Sequence, residues 1–500
     1  MKVNNHTTHY STDRKSDSNV VPEIASNKER SSAEMKEERA LAKRNVIKSG
    51  SCRTQCRNQR VSSLDDIRIR ARKDKQLKFS SLFHHITEEL LYTSFYELKR
   101  KAASGIDGVS WYEYQEDLRG NIAKVYSKLQ KGKYKAIPVL RCIITKDDGS
   151  ERALGIASVE DKVVQQALCT VLNCIYEQDF CGISYGFRPK RSQHDALDAV
   201  SVSIHKRKIS WILDADIQGF FDNIGHDELM HLLGVRIDDP RVLRLVRQWL
   251  KCGFQEKKGG KIHKSNKGCA QGAVISPLLA NIFLHYVLDE WVLLHRHYYP
   301  SGDMTIIRYA DDFIMGFQRK GQVETFLVQL KKRFAVFGLE LHEKKTRLIA
   351  FGRFALQDAR DKGKKKAESF DFLGFTHTCA ETKKGTFKIR RQTSCKKQRK
   401  ACSRVRIDLR KRMHRPIAET GKWLNSVIRG HQNYYGVPGN RNPLNSFYKE
   451  CVRSWLFVLR RRSHKGRGLT WEKFNRILDR FIQRPEVVHP YPEKRLCVTT

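Results

Sequence analysis

Two adjacent carboxylates, Asp311 and Asp312, lie between two short apolar runs in the segment 306–317. Apolar runs on either side of a polar pair predict a β-hairpin with the two acids at or beside its turn. Adjacent carboxylates repel each other, and burying them is costly unless a cation neutralises them. A pair of divalent cations would do so, and Mg²⁺ takes hard oxygen ligands of this kind. The alternative is a solvated turn, where Asp is an ordinary residue.

A second group of acids interrupts the strongly apolar segment 211–217. This segment predicts a strand, and the period of two places Asp214 and Asp216 on the same face of it. An acid inside a strand with core composition is rarely there for packing, because burial penalises its charge. Asp216 is therefore a candidate for chemistry, and Asp214 for a supporting position.

A pair of cations is predicted on another hairpin. The β-rich run 139–146 is followed by the turn residues 147–149 and by a returning run at 151–156. Pairing of the two runs brings Lys146 and Arg152 to nearby positions.

The composition indicates a polyanionic partner. Lys and Arg number 95 against 54 Asp and Glu, which gives a formal net charge of +41 and a sequence pI near 9.9. Nucleic acid is the polyanion that such a balance favours. A structural protein of ribosomes or chromatin would rarely combine this charge with 40% apolar residues in long runs. The sequence contains no run of eighteen or more apolar residues, so we expect no membrane span.

The cysteines favour a reducing compartment. The chain has 13 cysteines, which are scattered and lack a second pair at zinc-site spacing. We therefore expect them to act as small buried hydrophobic residues.

The acids and cations require a scaffold of both helices and strands. Residues 1–63 are polar, and we expect a mostly disordered basic tail with order beginning near Leu64. Apolar spacing predicts helices over 82–103, 159–177 and 323–337, and a helix that begins near His226. It also predicts a helix over 277–295 that is packed inside the protein. It also predicts strands at 339–341 and 370–375 and a charged loop at 358–368.

The segment 383–415 has fifteen Lys or Arg residues and one acid, Asp408. An apolar residue every fourth position from Ala401 to Met413 predicts a helix with one packed stripe and a cationic remainder. Solvated helices usually alternate charge sign, so we favour a phosphate-facing helix over a solvated face. The candidate contacts are Lys396, Lys397, Arg399, Lys400, Arg404 and Arg410. Tyr434 and Tyr435 are candidates for stacking on nucleic acid or for a turn.

Several of these segments, in this order, resemble the motifs of reverse transcriptases. Residues 308–312 (RYADD) resemble the YxDD box, residues 216–223 (DIQGFFDN) the first palm motif, and residues 271–278 (QGAVISPL) the motif that follows. Further segments resemble signatures of the group II intron-encoded branch, the multifunctional maturases. They are residues 184–189, 345–346, 370–375, 430–435 and 489–492.

The resemblance implies an α+β, right-hand polymerase fold. It consists of an N-terminal extension and fingers at 64–205, a palm with an antiparallel sheet at 206–380, and a helical thumb, domain X, at 381–500. We expect no HNH endonuclease domain, because the chain ends a few residues after Pro492.

The resemblance also implies an RNA-directed DNA polymerase that uses two Mg²⁺ ions, which Mn²⁺ can replace. Asp216 and Asp311 would bridge both ions, the Ile217 carbonyl would assist, and Asp312 would contribute at the periphery. Phe221 is identified as the steric gate against ribonucleotides, with a core ring beside Phe220 as the alternative. The remaining implied nucleotide contacts are Lys146, Arg152, Gln271, Tyr309, Ala310 and Lys345.

The implied partners are group II intron RNA, an RNA template with a DNA primer, dNTPs and target DNA, in a bacterial cytoplasm. The chain would copy intron RNA into cDNA and bind that RNA to promote splicing and mobility. Two alternatives remain: a splicing maturase with little polymerase activity, and a domesticated reverse transcriptase not tied to an intron. The sequence indicates no role for Arg308.

Overall fold

The computed structural model describes residues 23–24, 53–145, 149, 151–298 and 302–497. Most of the predicted N-terminal tail and Lys146 lie outside these residues. Within them, strand β1 (Glu23–Ile24) pairs with a C-terminal strand, Leu496–Cys497. The first helix begins at Arg53, earlier than the expected onset of order at Leu64.

The N-terminal region consists of helices that pack on one large apolar core. Ile67 and Ala71 of the first helix and Phe95 of the second are buried in it. The predicted helix over 82–103 is shorter in the structure and follows a 3₁₀ turn at Phe83–His85. The elements are α1 (Arg53–Lys73), α2 (Glu88–Glu97), α3 (Trp111–Glu116), α4 (Leu118–Gln130), β2 (Val139–Thr145), β3 (Glu151–Ile156), α5 (Val159–Asp179) and α6 (Gln193–Lys206).

The middle region is built on a four-stranded antiparallel sheet, the palm sheet, in the order β6-β7-β4-β8. A second sheet has three strands in the order β3-β2-β5. Its antiparallel pair β2–β3 is the predicted fingers hairpin. The elements are β4 (Trp211–Ala215), α7 (Phe220–Asn223), α8 (His226–Leu233), α9 (Pro240–Lys251), β5 (Phe254–Gln255), α10 (Ser276–Leu284), a π-helical turn (His285–Asp289), α11 (Glu290–Tyr298), β6 (Met304–Tyr309), β7 (Asp312–Phe317), α12 (Lys320–Val336), β8 (Arg347–Ala350) and α13 (Ala355–Asp361).

The helical stretch Ser276–His297 is the only one in the described residues that is long and apolar enough to span a membrane. Its apolar side chains are largely buried inside the protein, since 67% of the most apolar window is covered. This agrees with the prediction of a helix packed in the core, because a core helix is apolar nearly all round.

The C-terminal region combines a three-stranded antiparallel sheet, in the order β11-β10-β9, with a helical bundle that has its own core. The elements are β9 (Ser369–Phe372), β10 (Phe375–Glu381), β11 (Phe387–Thr393), α14 (Cys395–Lys411), α15 (Ile417–Tyr435), α16 (Arg441–Arg461), a 3₁₀ turn (Lys465–Gly468), α17 (Trp471–Phe481), α18 (Pro492–Arg495) and β12 (Leu496–Cys497).

Three further element predictions differ from the structure. The strand predicted at 370–375 is divided, because β9 ends at Phe372 and β10 begins at Phe375 after a two-residue turn. Leu341 forms only an isolated antiparallel bridge with Ile217, so 339–341 is not a strand of a sheet. The segment predicted as a charged loop at 358–368 contains the end of α13, because buried Ala355 and Ala359 give that turn an apolar side.

Candidate active site

The hairpin predicted around Asp311 and Asp312 is present in the palm sheet. β6 and β7 pair up to Tyr309 opposite Asp312, so Ala310 and Asp311 form a two-residue turn. Ala310 has φ of +57°, the left-handed conformation that such turns require. It costs an L-residue about 1–2 kcal/mol. Surrounding contacts must therefore hold this turn in place.

Strand β4 brings the third carboxylate to the turn. Ala215 lies opposite Phe313 on β7, which places Asp216 beside Asp312. Beyond β4, the His342 N–H donates to the Asp216 carbonyl at 2.7 Å. The three carboxylates of Asp216, Asp311 and Asp312, the acidic triad, are thus brought together by two neighbouring strands.

Burial and mutual repulsion change the acidity of the turn residues. Burial, followed by the charges of Asp311 and Asp216, raises the pKa of Asp312 to about 7. The Asp312 side chain is accessible to solvent, although many protein atoms surround it. It lines the open cleft that is described below. Burial also raises the pKa of Asp311, and the Asp216 charge adds to that rise. Nearby negative charge is a cost that a cation would relieve.

Two basic residues bind the acids of β4. The Lys345 Nζ lies 2.7 Å from Asp216 Oδ2, and Arg347, opposite Asp214 on β8, places Nη2 at 2.8 Å from Asp214 Oδ2. Burial raises the pKa of Asp214, while the hydrogen bond from Arg347 opposes that rise. Arg347 was missed from the sequence, because only the β4–β8 register shows that it faces Asp214.

The fingers hairpin reaches the same site through Arg152. Its Nε donates to Gln271 Oε1 at 2.6 Å, and the Gly155 N–H donates to the Gln271 carbonyl at 2.7 Å. The Arg152 charge opposes the rise in the pKa of Asp311 that burial causes, so the guanidinium lies within electrostatic range of that carboxylate. The structure thus brings together two predicted nucleotide contacts that are far apart in sequence.

Phe221 lies beside the segment that bears Gln271. Its carbonyl accepts a hydrogen bond from the Cys269 N–H at 2.7 Å. The side chain is 8% exposed, and its ring meets Phe220 edge-on with centroids 5.3 Å apart. This burial agrees with the alternative of a core ring. The steric-gate hypothesis, which is based on the position of Phe221 five residues after Asp216, stays a prediction.

An open cleft of about 640 Å³ joins the palm sheet to the C-terminal region. Acids and bases line it together: Asp214, Asp216, Asp312, Asp371, Lys344, Lys345, Arg347 and Lys396. Lys396 comes from the first turn of α14, so the basic helix begins at the edge of the cleft. A cleft in which cations surround accessible acids suits a polyanion whose reacting end meets those acids.

The basic helix α14 has the predicted amphipathic arrangement. Val405 and Leu409 are buried, and the six cationic candidates are all exposed. They are Lys396, Lys397, Arg399, Lys400, Arg404 and Arg410.

Tyr434 and Tyr435, the two rings predicted to contact nucleic acid or to form a turn, lie at the end of α15. Both are partly buried and pack on an apolar core that includes Phe370, Phe372 and Phe375. The Tyr434 hydroxyl donates to the Leu373 carbonyl at 2.7 Å, and the Tyr435 ring lies 5.1 Å from that of Phe375. These contacts join α15 to the β9–β11 sheet, and a nucleic-acid contact by the exposed parts of the two half-buried rings stays a prediction.

The donor set of the acidic triad suits a divalent cation. Carboxylate oxygens are the ligands that Mg²⁺ prefers, and the charges of Asp311 and Asp312 at the turn and of Asp216 beside it are compensated only in part. As the side chains are placed, no group of three His, Cys, Asp or Glu residues among those described converges closely enough to hold an ion. Asp216 is instead held by Lys345, so an ion would have to compete with that ammonium group.

The antiparallel palm sheet, its acidic turn and the flanking helical regions agree with the right-hand polymerase fold that the order of the motifs implied. Residues 144–377 match the family model described as reverse transcriptase (RNA-dependent DNA polymerase). A curated relative, the group II intron-encoded protein LtrA of Lactococcus lactis, is 35% identical over 233 residues, 45% of this chain and 38% of its own. The match thus spans well under half of that relative.

Two further relatives extend the likeness. Protein YkfC of Escherichia coli is 34% identical over 290 residues, 51% of this chain and 75% of its own. An uncharacterized 91 kDa protein in the cob intron of Schizosaccharomyces pombe is 28% identical over 410 residues, 69% of this chain and 49% of its own. The chain belongs to the reverse transcriptase family, in the branch of group II intron-encoded reverse transcriptases and maturases. The predicted fold class is thereby confirmed.

Proposed function

We propose that this protein is an RNA-directed DNA polymerase that copies group II intron RNA into cDNA and also binds that RNA to promote splicing and mobility. The observation that supports it is the acidic triad at the palm hairpin, of which Asp216 and Asp312 line a cleft together with Lys396 from the first turn of the basic helix. The substrates would be dNTPs and an RNA template with a DNA primer, and target DNA would be the other partner. We propose that it acts in a bacterial cytoplasm.

Asp216, Asp311 and Asp312, with the Ile217 carbonyl, would hold two Mg²⁺ ions, and Mn²⁺ can take their place. The antiparallel bridge at Ile217 supports this, because its flanking hydrogen bonds involve Asp216 and Gln218 rather than Ile217 itself. When bound, the ions activate the primer 3′-oxygen and stabilise the departing pyrophosphate.

The other side chains would orient the nucleotide. Arg152, with Lys146, would neutralise triphosphate charge, and the 2.6 Å contact to Gln271 fixes the direction of the guanidinium. Tyr309 and Ala310 would contact primer and nucleotide, because they form the start of the acidic turn. Lys345 would exchange its contact with Asp216 for one with a phosphate.

The basic helix α14 would bind intron RNA through phosphates and shape. Its six exposed cations are supported from behind by buried Val405 and Leu409, so the cationic face is presented rigidly. We propose the regions up to 205 as fingers, 206–380 as palm and 381–500 as thumb, with the fingers beginning at α1.

The first test replaces one acid of the triad. Asp311→Asn removes a charge with little change of shape, so primer extension on poly(rA)/oligo(dT) with Mg²⁺ should be abolished. RNA affinity should be unchanged, because α14 is untouched. Asp227→Asn, an exposed acid on α8, is the control and should keep wild-type extension.

Extension by Asp311→Asn at a near wild-type rate would refute the site. Normal splicing by a wild-type protein that shows no extension would favour a maturase alone.

A further inference from the structure

The acidic turn is held from behind by a buried ion pair that does not line the cleft. Arg308 and Asp289 both have fully buried side chains. The Arg308 Nε lies 2.7 Å from Asp289 Oδ1, and Nη2 donates to Asp289 Oδ2. A bidentate ion pair of this kind fixes the orientation of the guanidinium group. Burying it sacrifices the hydration of both charges, so stability alone is a weak reason for such a pair.

The guanidinium of Arg308 also binds the turn itself. Its Nη1 donates to the Ala310 carbonyl at 3.0 Å. That carbonyl belongs to the peptide group joining Ala310 to Asp311, and Ala310 is the residue in the left-handed conformation. The hydrogen bond therefore restrains the peptide whose rotation would move the Asp311 carboxylate.

A loop closes over the turn from the other side. The Arg308 N–H donates to the Ile183 carbonyl at 2.9 Å, and the Tyr185 N–H donates to the Arg308 carbonyl at 2.8 Å. A Cβ on Gly186 would lie 2.3 Å from the Ala310 backbone nitrogen, so only glycine allows this approach. The turn is thus confined between the loop and the guanidinium.

Asn281 joins the ion pair to that loop. Its Oδ1 accepts a hydrogen bond from Arg308 Nη1 at 2.9 Å, and its Nδ2 donates to the Gly186 carbonyl at 2.8 Å. One side chain therefore links both restraints on the turn.

The π-helical turn at His285–Asp289 brings Asn281 and Asp289 to one side of their helix. In a regular α-helix, residues eight positions apart differ by about 80° around the axis. A π turn adds one residue to the helix and reduces that difference to about 20°. The same insertion that interrupts regular hydrogen bonding thus aligns both side chains toward Arg308.

We propose that Arg308, Asp289, Asn281 and Gly186 are positioning residues that fix the Asp311 carboxylate for cation binding and phosphoryl transfer without touching substrate. The inference rests on the proposed polymerase function. In this proposal the π turn aligns Asn281 and Asp289 toward Arg308. Arg308, for which the sequence indicated no role, then holds the acidic turn in place.

The main variant is Asp289→Asn, which keeps the shape of the side chain and removes the charge that orients Arg308. We expect kcat for primer extension, per folded molecule, to fall about 10–100-fold, as for other residues that orient metal ligands. The KM for dTTP should stay near its wild-type value, because no nucleotide contact is removed.

The matched control is Asp179→Asn. Asp179 forms another buried ion pair, with Arg236 Nε at 2.9 Å, in contact with α1 rather than with the turn. Its loss should lower the thermal midpoint to a similar extent and leave kcat unchanged. A purely structural role for Asp289 predicts the same result in both variants.

Cation affinity gives a second readout that does not depend on turnover. Mn²⁺ binding is measured by electron paramagnetic resonance on the full chain, with poly(rA), a dideoxy-terminated oligo(dT) and dTTP. We expect the dissociation constant to rise at least about 10-fold in Asp289→Asn and to stay unchanged in Asp179→Asn.

Gly186→Ala tests the restraint from the loop side while leaving the ion pair intact. It should lower kcat and Mn²⁺ affinity in the same direction, and it decides the question alone if Asp289→Asn does not fold. Wild-type kcat and Mn²⁺ affinity in the folded variants would overturn the positioning role. Persistent extension in Asp311→Asn would instead overturn the proposed function.

Discussion

At the scale of single residues, the site is a set of charges that oppose one another. Asp216 is held by Lys345 at 2.7 Å, and Asp312 has a pKa raised to about 7 by burial and by the neighbouring acids. Both observations describe negative charge that the protein compensates only in part. Such residual charge is what a cation-dependent active site would provide.

Phe221 gives a prediction at this scale. If its ring lies under the sugar of the incoming nucleotide, Phe221→Val should raise ribonucleotide incorporation, because the smaller side chain leaves space for a 2′-hydroxyl. The measurement is the ratio of kcat/KM for UTP and dTTP on poly(rA)/oligo(dT).

Phe220→Val is the control for that substitution. Phe220 is also buried, at 2% exposed, so its variant should lose stability and keep sugar selectivity. An unchanged ratio in Phe221→Val would assign Phe221 to the core alone.

At the scale of elements, two strands and one helix determine what the site can bind. β4 and β7 carry the acidic triad, and α14 begins at the cleft and continues away from it as a cationic face. A duplex end placed on the triad would therefore extend along α14, with its phosphates toward the exposed lysines and arginines.

The helix α14 gives a prediction about salt dependence. Replacing Lys396, Lys397, Arg399 and Lys400 by Gln should reduce the slope of log affinity for RNA against log salt concentration by about 3, if each cation neutralises one phosphate. The measurement is RNA binding from low to moderate salt by fluorescence anisotropy.

A matched set on α12 serves as the control. Neutralising the exposed Arg319, Lys320, Lys331 and Lys332 removes the same charge from the helix that packs behind the palm sheet. The salt-dependence slope should then change little. An equal change of slope in the two sets of variants would show that α14 is not a specific RNA contact.

At the scale of the whole molecule, a buried ionic network joins regions far apart in sequence. Asp198 on α6 binds Arg391 on β11 and, at 2.9 Å, Arg495 Nε near the C-terminus. His489 stacks on His194 with ring centroids 3.9 Å apart, and burial lowers the pKa of His194 to about 2, so it is neutral. The C-terminal segment thus fastens the β9–β11 sheet to α6.

Asp198→Asn should therefore destabilise the entire protein. Removing Asp198 leaves the buried Arg391 without its carboxylate, while Arg495 retains Asp195 at 3.2 Å. We expect a loss of about 3–5 kcal/mol in the free energy of unfolding. The measurement is urea-induced unfolding followed by circular dichroism.

Asp117→Asn is the control, because Asp117 forms an exposed pair with Lys124 at 3.8 Å. It should cost less than about 1 kcal/mol. Equal losses in both variants would show that the buried network contributes no more than a surface pair.

The sequence by itself determined the elements with strong periodicity and the chemical groups they carry. The hairpin at Asp311, the strand before Asp216, the fingers hairpin and the core helix after Ser276 follow from local alternation of apolar and polar residues. The motif order identified the family before any distance was known. Local pattern was a weaker guide at 339–341 and 358–368, where single tertiary contacts decide the structure.

Only the tertiary structure decided what each charged side chain faces. Arg347 opposite Asp214, Tyr434 bonded to Leu373, and Arg308 bonded to Asp289 all depend on strand register or helix packing across long sequence separations. The π turn is the clearest example, because one extra residue in a helix rotates Asp289 toward the acidic turn. Sequence periodicity describes which face of an element is apolar, but the partner of a buried charge is fixed when separate elements pack together.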